Sequence, residues 1–236
     1  MTAIVSLALA TAAFVGSHFL LSHPLRPALV ARLGETGFLR LYSLIAFATL
    51  GWMIFAGTRI EEAEPAWIAP LWWWRIASAL MLLASILLVG SLIRNPALPH
   101  PGARPKAIPA PAGVFAITRH PMNWAFMLWA LVHLSLWGSS RNLIIAAGIL
   151  ILALFGSIGQ DRKKLALLGQ SWRDWQARTS FVPFAALLAG RVPWRAAAPG
   201  WIALIGGLAL WLAITWYHAP MVSPVGGLGR GPLGAG

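Results

Sequence analysis

The sequence predicts an all-α fold, a polytopic membrane bundle of about six transmembrane helices. Of its 236 residues, 58% are hydrophobic and only 10% are charged, whereas a typical soluble domain carries about 25% charged residues. Several apolar runs reach roughly 20 residues, the length at which a helix crosses the hydrocarbon core of a bilayer. Basic residues concentrate in alternate loops between these runs, as they do in membrane proteins with a fixed orientation.

The predicted spans follow one another along residues 1–222, which we interpret as one transmembrane domain. The first span has no basic residues before its apolar core and is long for a signal peptide, so we expect it to be retained. Residues 183–190, PFAALLAG, are too short to span and are typical of an interfacial or re-entrant segment. Residues 223–236 form a Gly- and Pro-rich tail that we expect to be loose. The spans are 2–22, 38–56, 68–93, 118–137, 143–159 and 201–217.

Positive charge predicts the orientation of the bundle. Of the 18 Lys and Arg residues, 14 lie in the loops that follow spans 1, 3 and 5 or in the first three residues of the next span, whereas three of the six acids lie in the loop after span 2. Because basic loops stay cytoplasmic, both termini are predicted to be non-cytoplasmic, in what we expect to be a bacterial inner membrane. Such loops and the anionic lipids of the bilayer explain the net charge of +12, so we expect no nucleic-acid partner.

The absence of cysteine limits the chemistry of any site. It excludes thiolate zinc sites, iron–sulfur clusters, covalently attached haem and disulfides. A metal or haem would have to be held by histidine, methionine, tyrosine or carboxylate. No HExxH motif is present, and the acids are too few and too peripheral for paired-carboxylate catalysis.

The histidines fall at two predicted depths. His18 lies about one turn inside the cytoplasmic end of the first span, and His120 opens the fourth span at the same level. His133 is thirteen residues further along, or roughly 20 Å, and matches the level of His218 at the outer end of the last span. Thirteen steps of about 100° turn His133 some 140° from His120, so these two cannot hold one ligand. His23 and His100 lie in loops, where we expect solvation.

Imidazoles facing each other from separate helices are a known way to hold haem b in a helical bundle. The inner pair, His18 and His120, is the candidate for such a site. Arg26, Arg40 and Arg119 lie at the same level and suit the carboxylates of haem propionates. The competing interpretation is that each histidine only hydrogen-bonds a neighbouring helix or is hydrated near an interface.

A family resemblance rests on segments that occur in a fixed order. Together they resemble the NnrU family of membrane proteins, which are associated with denitrification and nitric oxide reductase function. Plant zeta-carotene isomerase is similar to this family and is a haem b membrane enzyme with histidine ligands. The segments are GSHFLLSHPLRPALVARLGETGFLRLYSL (16–44), TRHPMNWAFMLWALVHL (118–134), GQDRKKLALLGQSWRDWQARTSFVPF (159–184) and WYHAP (216–220).

The resemblance implies a haem b whose iron is bound by His18 and His120. The outer pair, His133 and His218, rests on predicted depth alone: it either binds a second haem or metal or makes polar contacts near the outer interface. It also implies a respiratory nitric oxide enzyme as partner, or a hydrophobic small molecule as substrate. The isomerase has a cysteine just before its RHP histidine, where this chain has Ile117 and Thr118. A ligand switch that uses that cysteine is therefore not expected here.

Two alternatives remain open at this stage. RHP at a helix start also resembles isoprenylcysteine carboxyl methyltransferase and methanethiol methyltransferase, in which Arg119, His120 and Pro121 would lie against S-adenosylmethionine. The late glutamate-bearing pattern of those enzymes is absent, since no glutamate follows Glu64. The other alternative is a non-catalytic membrane assembly factor in which the histidines only pack.

Overall fold

The computed structural model describes residues 2–61, 65–97 and 108–222, with side chains up to residue 218. In these ranges the secondary structure is helical and no β-strand is present. The all-α fold class predicted from the sequence is therefore confirmed. The helices are α1 Ala3–Ser22, α2 Arg26–Thr58, α3 Leu71–Ser91, α4 Val114–Ile117, α5 Pro121–Leu136, α6 Ser140–Leu168, α7 Gln170–Arg178, α8 Ala185–Leu188 and α9 Trp201–Val222, with a 3-10 turn at Trp194–Ala197.

Within the described ranges, five helices are long and apolar enough to cross a bilayer: α1, α2, α3, α6 and α9. They correspond to the first, second, third, fifth and sixth predicted spans, and the protein is an integral membrane protein. The fourth predicted span, 118–137, is the 16-residue helix α5. At 1.5 Å per residue it covers about 24 Å, less than the roughly 30 Å of a hydrocarbon core. The count of six spans therefore stays a prediction.

The described chain forms two compact units. The first contains α1, α2 and α6, and the second contains α3, α4, α8 and α9, while α5 and α7 contribute residues to both. Their boundaries are Met1–Trp67, Pro96–Ile108 and His133–Arg173 for the first unit, and Ile68–Asn95, Pro109–Val132 and Asp174–Gly236 for the second.

In the first unit, α1 packs against both α2 and α6. Leu7 and Ala10 of α1 are fully buried and form a cluster with Met53 and Ala56 of α2. On the side of α6, Gly148 lies so close to α1 that an added Cβ would overlap Cγ2 of Thr11. Small residues at such contacts let helix backbones approach closely, the usual route to stable packing inside a bilayer.

Helix α2 bends at Gly34, whose φ of 69° and ψ of 169° are open essentially to glycine. The helical segment before the bend, 26–33, occupies part of what the sequence predicted as a loop. Pro27 in the first turn favours a helix start there, because its φ is already helical and its missing N–H needs no partner. After the bend, Glu35 reaches back to Arg26, with Nη2 of the arginine 2.8 Å from Oε1.

We expect Gly34→Ala to lower the free energy of unfolding by about 1–3 kcal/mol, because alanine is strained at this φ and ψ. Thermal unfolding in detergent, followed by circular dichroism, would measure the effect. Gly51→Ala is the control: Gly51 is exposed on α2, and nothing lies within 4 Å of an added Cβ. That control should unfold at or slightly above the wild-type temperature. Equal unfolding temperatures for both variants would contradict the strain at Gly34.

In the second unit, α3 and α9 pack through small residues. A Cβ added at Gly207 would lie 2.7 Å from the Cα of Ile86, and one added at Gly206 would lie 2.9 Å from Cγ1 of Val89. Ala203 is four residues before Gly207 and nearly fully buried. The two residues form a small-xxx-small pattern, which favours close helix contact in membranes.

The segment predicted to be interfacial or re-entrant, 183–190, contains the short helix α8. Ala186 and Leu187 of α8 are buried in a cluster with Ala116 of α4 and Val192. The segment is thus packed within the second unit, while its position relative to the bilayer stays a prediction. The predicted tail, 223–236, lies outside the described residues.

Candidate functional site

His18 lies in the first unit, half-buried between the rings of Phe14 and Tyr42. The ring centroids are 4.3 Å from Phe14 and 5.4 Å from Tyr42, which meets the imidazole edge-on. Nδ1 of His18 is 2.7 Å from the carbonyl oxygen of Phe14. Because a carbonyl can only accept, this hydrogen bond assigns the proton to Nδ1 and leaves a lone pair on Nε2. Metal-binding histidines are commonly oriented by such a bond at the other ring nitrogen.

Two aromatic residues of α2, Phe38 and Tyr42, continue the row of rings that begins at His18. Tyr42 is half-buried and Phe38 is buried, and their ring centroids are 6.0 Å apart. At the other end, the guanidinium of Arg26 lies 5.4 Å from the centroid of Phe38. His18 and Arg26 were predicted from the sequence, whereas the rings between them were not. Their four-residue spacing, which places them on one helix face, was the available signal.

His23 is half-buried against α6, although we predicted it to be solvated. Its ring fills the space over Gly159 so closely that a Cβ there would overlap Nε2. Burial, and then the charges of Lys163 and Arg162, lower the pKa of His23 below its usual value. His23 is therefore neutral at pH 7. The other predicted loop histidine, His100, lies outside the described residues.

The lowered pKa of His23 predicts a loss of stability on acidification. Between the pKa of His23 in the folded chain and its ordinary value of 6.5, the unfolded chain binds a proton that the folded chain does not. The contribution of His23 to the free energy of unfolding is therefore complete above about pH 6.5 and is lost as the pH falls through the folded pKa. The unfolding temperature of the wild type should therefore fall more steeply between pH 7 and pH 5 than that of His23→Gln. Parallel slopes for the two proteins would rule out this contribution.

The RHP segment forms the junction between α4 and α5 in the second unit. Thr118 ends α4 with an extended backbone, φ −151° and ψ 148°, and Pro121 begins α5. Oγ1 of the buried Thr118 donates to the carbonyl oxygen of Phe181 at 2.7 Å. Nε1 of Trp124 donates to the same oxygen at 2.8 Å. The backbone N–H of Arg119 donates to the carbonyl of the preceding Ser180 at 2.9 Å. The junction is thus held on both sides of its histidine.

His120 occupies the middle of this junction. Its backbone N–H donates to Oγ1 of Thr118 at 3.3 Å, and its side chain is only 3% exposed. The imidazole lies 6.1 Å from the ring of Phe181, which also contacts Trp124 with centroids 5.7 Å apart. A buried imidazole on a fixed backbone is a suitable ligand, because little side-chain entropy remains to be lost on binding.

The segment that holds the junction has its own fixed conformation. Ser180 Oγ donates to the carbonyl of Val182 at 2.8 Å and accepts the N–H of Ala186 at 3.0 Å. Phe184 has a left-handed backbone, φ 65°, and its N–H donates to the carbonyl of Ile117 at 2.8 Å. This stretch carries part of the family resemblance, but the sequence predicted no role for it. Its role in the second unit is to position the RHP junction.

The predicted histidine pairs are distributed over both units. His18 and His133 belong to the first unit, whereas His120 and His218 belong to the second. The pairing of His18 with His120, and that of His133 with His218, therefore stay predictions. His218 is exposed, and its Nδ1 lies 2.8 Å from the carbonyl oxygen of Ile214.

The three predicted propionate partners differ in their surroundings. Arg26 is 18% exposed and paired with Glu35. Arg40 is exposed on α2, and Arg119 is half-buried beside His120. Across the described residues, no three His, Asp or Glu side chains gather in a group that could hold a metal ion. The histidines of each unit would suit a prosthetic group whose metal is bound by single histidines.

Comparisons with known proteins identify a family and two similar enzymes. The family profile described as NnrU protein matches residues 6–224. The chain is 36% identical over 89 residues to the chloroplastic 15-cis-zeta-carotene isomerase of Zea mays, a match that covers 37% of this chain and 24% of the relative. It is 35% identical over 80 residues to the same enzyme of Arabidopsis thaliana, covering 34% and 22%. The matches thus span about a quarter of the length of these curated relatives. No solved structure shows a significant match.

Proposed function

Because this chain belongs to the NnrU family, we propose that it is an isomerase-like membrane protein that binds haem b and acts on a cis double bond of a hydrophobic polyene. The observation that carries the proposal is the hydrogen bond from Nδ1 of His18 to Phe14, which prepares Nε2 as a ligand. The similarity to two plant 15-cis-zeta-carotene isomerases supports the substrate class.

The donor set of this chain suits haem b. Without cysteine, the haem cannot be attached covalently through thioethers, and imidazole is the neutral ligand at hand. His18 would bind the iron through Nε2, with its ring held by the Phe14 carbonyl. His120 is the other histidine that we propose as a haem ligand, because it is buried on a fixed backbone. Bound haem supplies the electronic activation that eases rotation about a conjugated double bond.

In the proposed isomerisation, the residues of the chain need only bind the haem and the substrate. Isomerisation about a double bond transfers no atoms, so it needs neither a paired carboxylate nor a second substrate. Tyr42, half-buried beside His18, offers an aromatic face against which an apolar polyene can pack, and the buried ring of Phe38 lies next to it. Farther along α2, Leu44 and Phe47 are exposed. A hydrophobic substrate dissolved in the bilayer would therefore reach this helix sideways, without crossing water.

The test combines a spectrum with an activity assay on the full chain purified in detergent. We expect a Soret band and sharp α and β bands after dithionite reduction. In liposomes, 15-cis-zeta-carotene should be converted to its 15-trans isomer, separated by chromatography, with no change in mass. A haem protein without isomerase activity would overturn the substrate assignment and leave a role beside a nitric oxide enzyme. A colourless protein that binds S-adenosylmethionine would overturn the proposal altogether.

A further inference from the structure

The first unit contains a concentration of positive charge that the proposed function does not use. It lies where α1 ends, α2 begins and α6 passes through its last turns. Arg26 opens α2, and Lys163 and Lys164 lie on α6, half-buried. Lys163 interacts electrostatically with Arg26, with Lys164 and with Glu35. The neutral His23 fixes α6 against the end of α1 by its contact with Gly159.

The acids near this cluster do not balance its charge. Glu35 is paired with Arg26, both of its oxygens lying 2.8–2.9 Å from Nη2. Asp161 is the acid in this stretch of α6, and the three residues that follow it, Arg162, Lys163 and Lys164, are all basic. The cluster therefore keeps an excess of positive charge. Partly buried like charges repel strongly unless an anion joins them.

Donors remain available for such an anion. Within the described residues, Nε and Nη1 of Arg26 make no hydrogen bond, and the ammonium of Lys163 makes neither a hydrogen bond nor an ion pair. The guanidinium is held in place over Phe38, 5.4 Å from the ring centroid. A fixed guanidinium beside the ammonium of Lys163 matches the geometry of a phosphate.

The surroundings favour the phosphate of a lipid over a free ion. The cluster lies at the ends of apolar helices that are long enough to cross a bilayer, the depth at which headgroups begin. Large apolar side chains next to it are exposed: Leu25 and Leu33 on the α2 side and Ile158 on α6. Acyl chains would cover these side chains, whereas a free phosphate would leave them bare.

We infer that Arg26, Lys163 and Lys164 form a binding site for the phosphate of an anionic phospholipid. Basic pockets between transmembrane helices are known to bind such headgroups. The site is distinct from the proposed iron ligands, because none of its donors belongs to His18 or to the RHP junction. Arg26 is also one of the predicted propionate partners, so the haem content of the variants is measured together with their lipid. Bound lipid would hold the ends of α1, α2 and α6 together.

Native mass spectrometry of the full chain tests the site, with phosphatidylglycerol compared with phosphatidylcholine. We expect the wild type to retain phosphatidylglycerol selectively. The Lys163→Gln/Lys164→Gln double variant should bind it about tenfold or more weakly. The Lys163→Arg/Lys164→Arg double variant keeps the charge and should retain the lipid. A matched control, Arg32→Gln/Arg173→Gln, removes two exposed cations and should bind like the wild type.

The remaining outcomes overturn the inference. Equal retention of both lipids, or an equal loss in the control, would show that only general surface charge is involved. Displacement by millimolar inorganic phosphate would assign the site to a free ion. If the glutamine double variant lost haem and kept its lipid, the cluster would hold a haem propionate. Circular dichroism and the elution profile of the double variant show whether it is folded, and its arginine counterpart separates charge from packing.

Discussion

His18→Ala is expected to lower the haem content of the purified protein at least about tenfold. The substitution removes the Nε2 lone pair that we propose as an iron ligand, and changes to groups that merely orient metal ligands already cost 10–100-fold in affinity. The fold should survive, because His18 is only half-buried and its one hydrogen bond goes to a carbonyl within its own helix. Pyridine haemochrome against amino-acid analysis gives the haem per polypeptide.

The control for this experiment is His218→Ala. His218 makes the same bond from Nδ1 to a carbonyl four residues earlier, at 2.8 Å, but it is exposed. Its removal should leave the haem content near the wild-type value. Added imidazole should restore the spectrum of His18→Ala by entering the space left by the side chain. Full haem occupancy in His18→Ala, without imidazole, would show that His18 is not a ligand.

The parts of the fold that the sequence could predict are those set by local chemistry. The long apolar runs became α1, α3 and α9 within a few residues of their predicted bounds, because run length alone determines where a membrane helix can form. The bend at Gly34 was not predicted. Its polar neighbourhood resembles a loop, and the pairing of Arg26 with Glu35 across the bend joins residues that no sequence motif connects.

The candidate site was predictable in its residue types but not in its contacts. His18 and His120 stand out in any apolar sequence, since histidine is uncommon in membrane helices. His18 is oriented by the backbone carbonyl of Phe14, and the junction around His120 is held by the carbonyl of Phe181, which accepts from Thr118; a carbonyl leaves no trace in residue identity. The burial of His23 depends on Gly159, more than a hundred residues away, so no local pattern could indicate it.

Gly207→Ala is expected to lower the free energy of unfolding by about 1–3 kcal/mol, the usual cost of adding volume to a packed contact. The new Cβ would lie 2.7 Å from the Cα of Ile86 and 2.8 Å from its backbone nitrogen. Backbone atoms cannot rotate away, so α3 and α9 would have to separate along their contact. The measurement is the thermal or denaturant-induced unfolding of the detergent-solubilised protein, compared with Gly51→Ala.

Gly206 provides the comparison that isolates this cause. An added Cβ there meets the side chain of Val89, with Cγ1 at 2.9 Å and no backbone atom of α3 among its nearest neighbours. Removing that side chain in Gly206→Ala/Val89→Ala should recover part of the stability that Gly206→Ala loses. Gly207→Ala/Ile86→Ala should recover less, because the Cα and nitrogen of residue 86 remain in place. Equal recovery in both pairs would mean that side-chain crowding, and not the approach of the two backbones, determines the contact between α3 and α9.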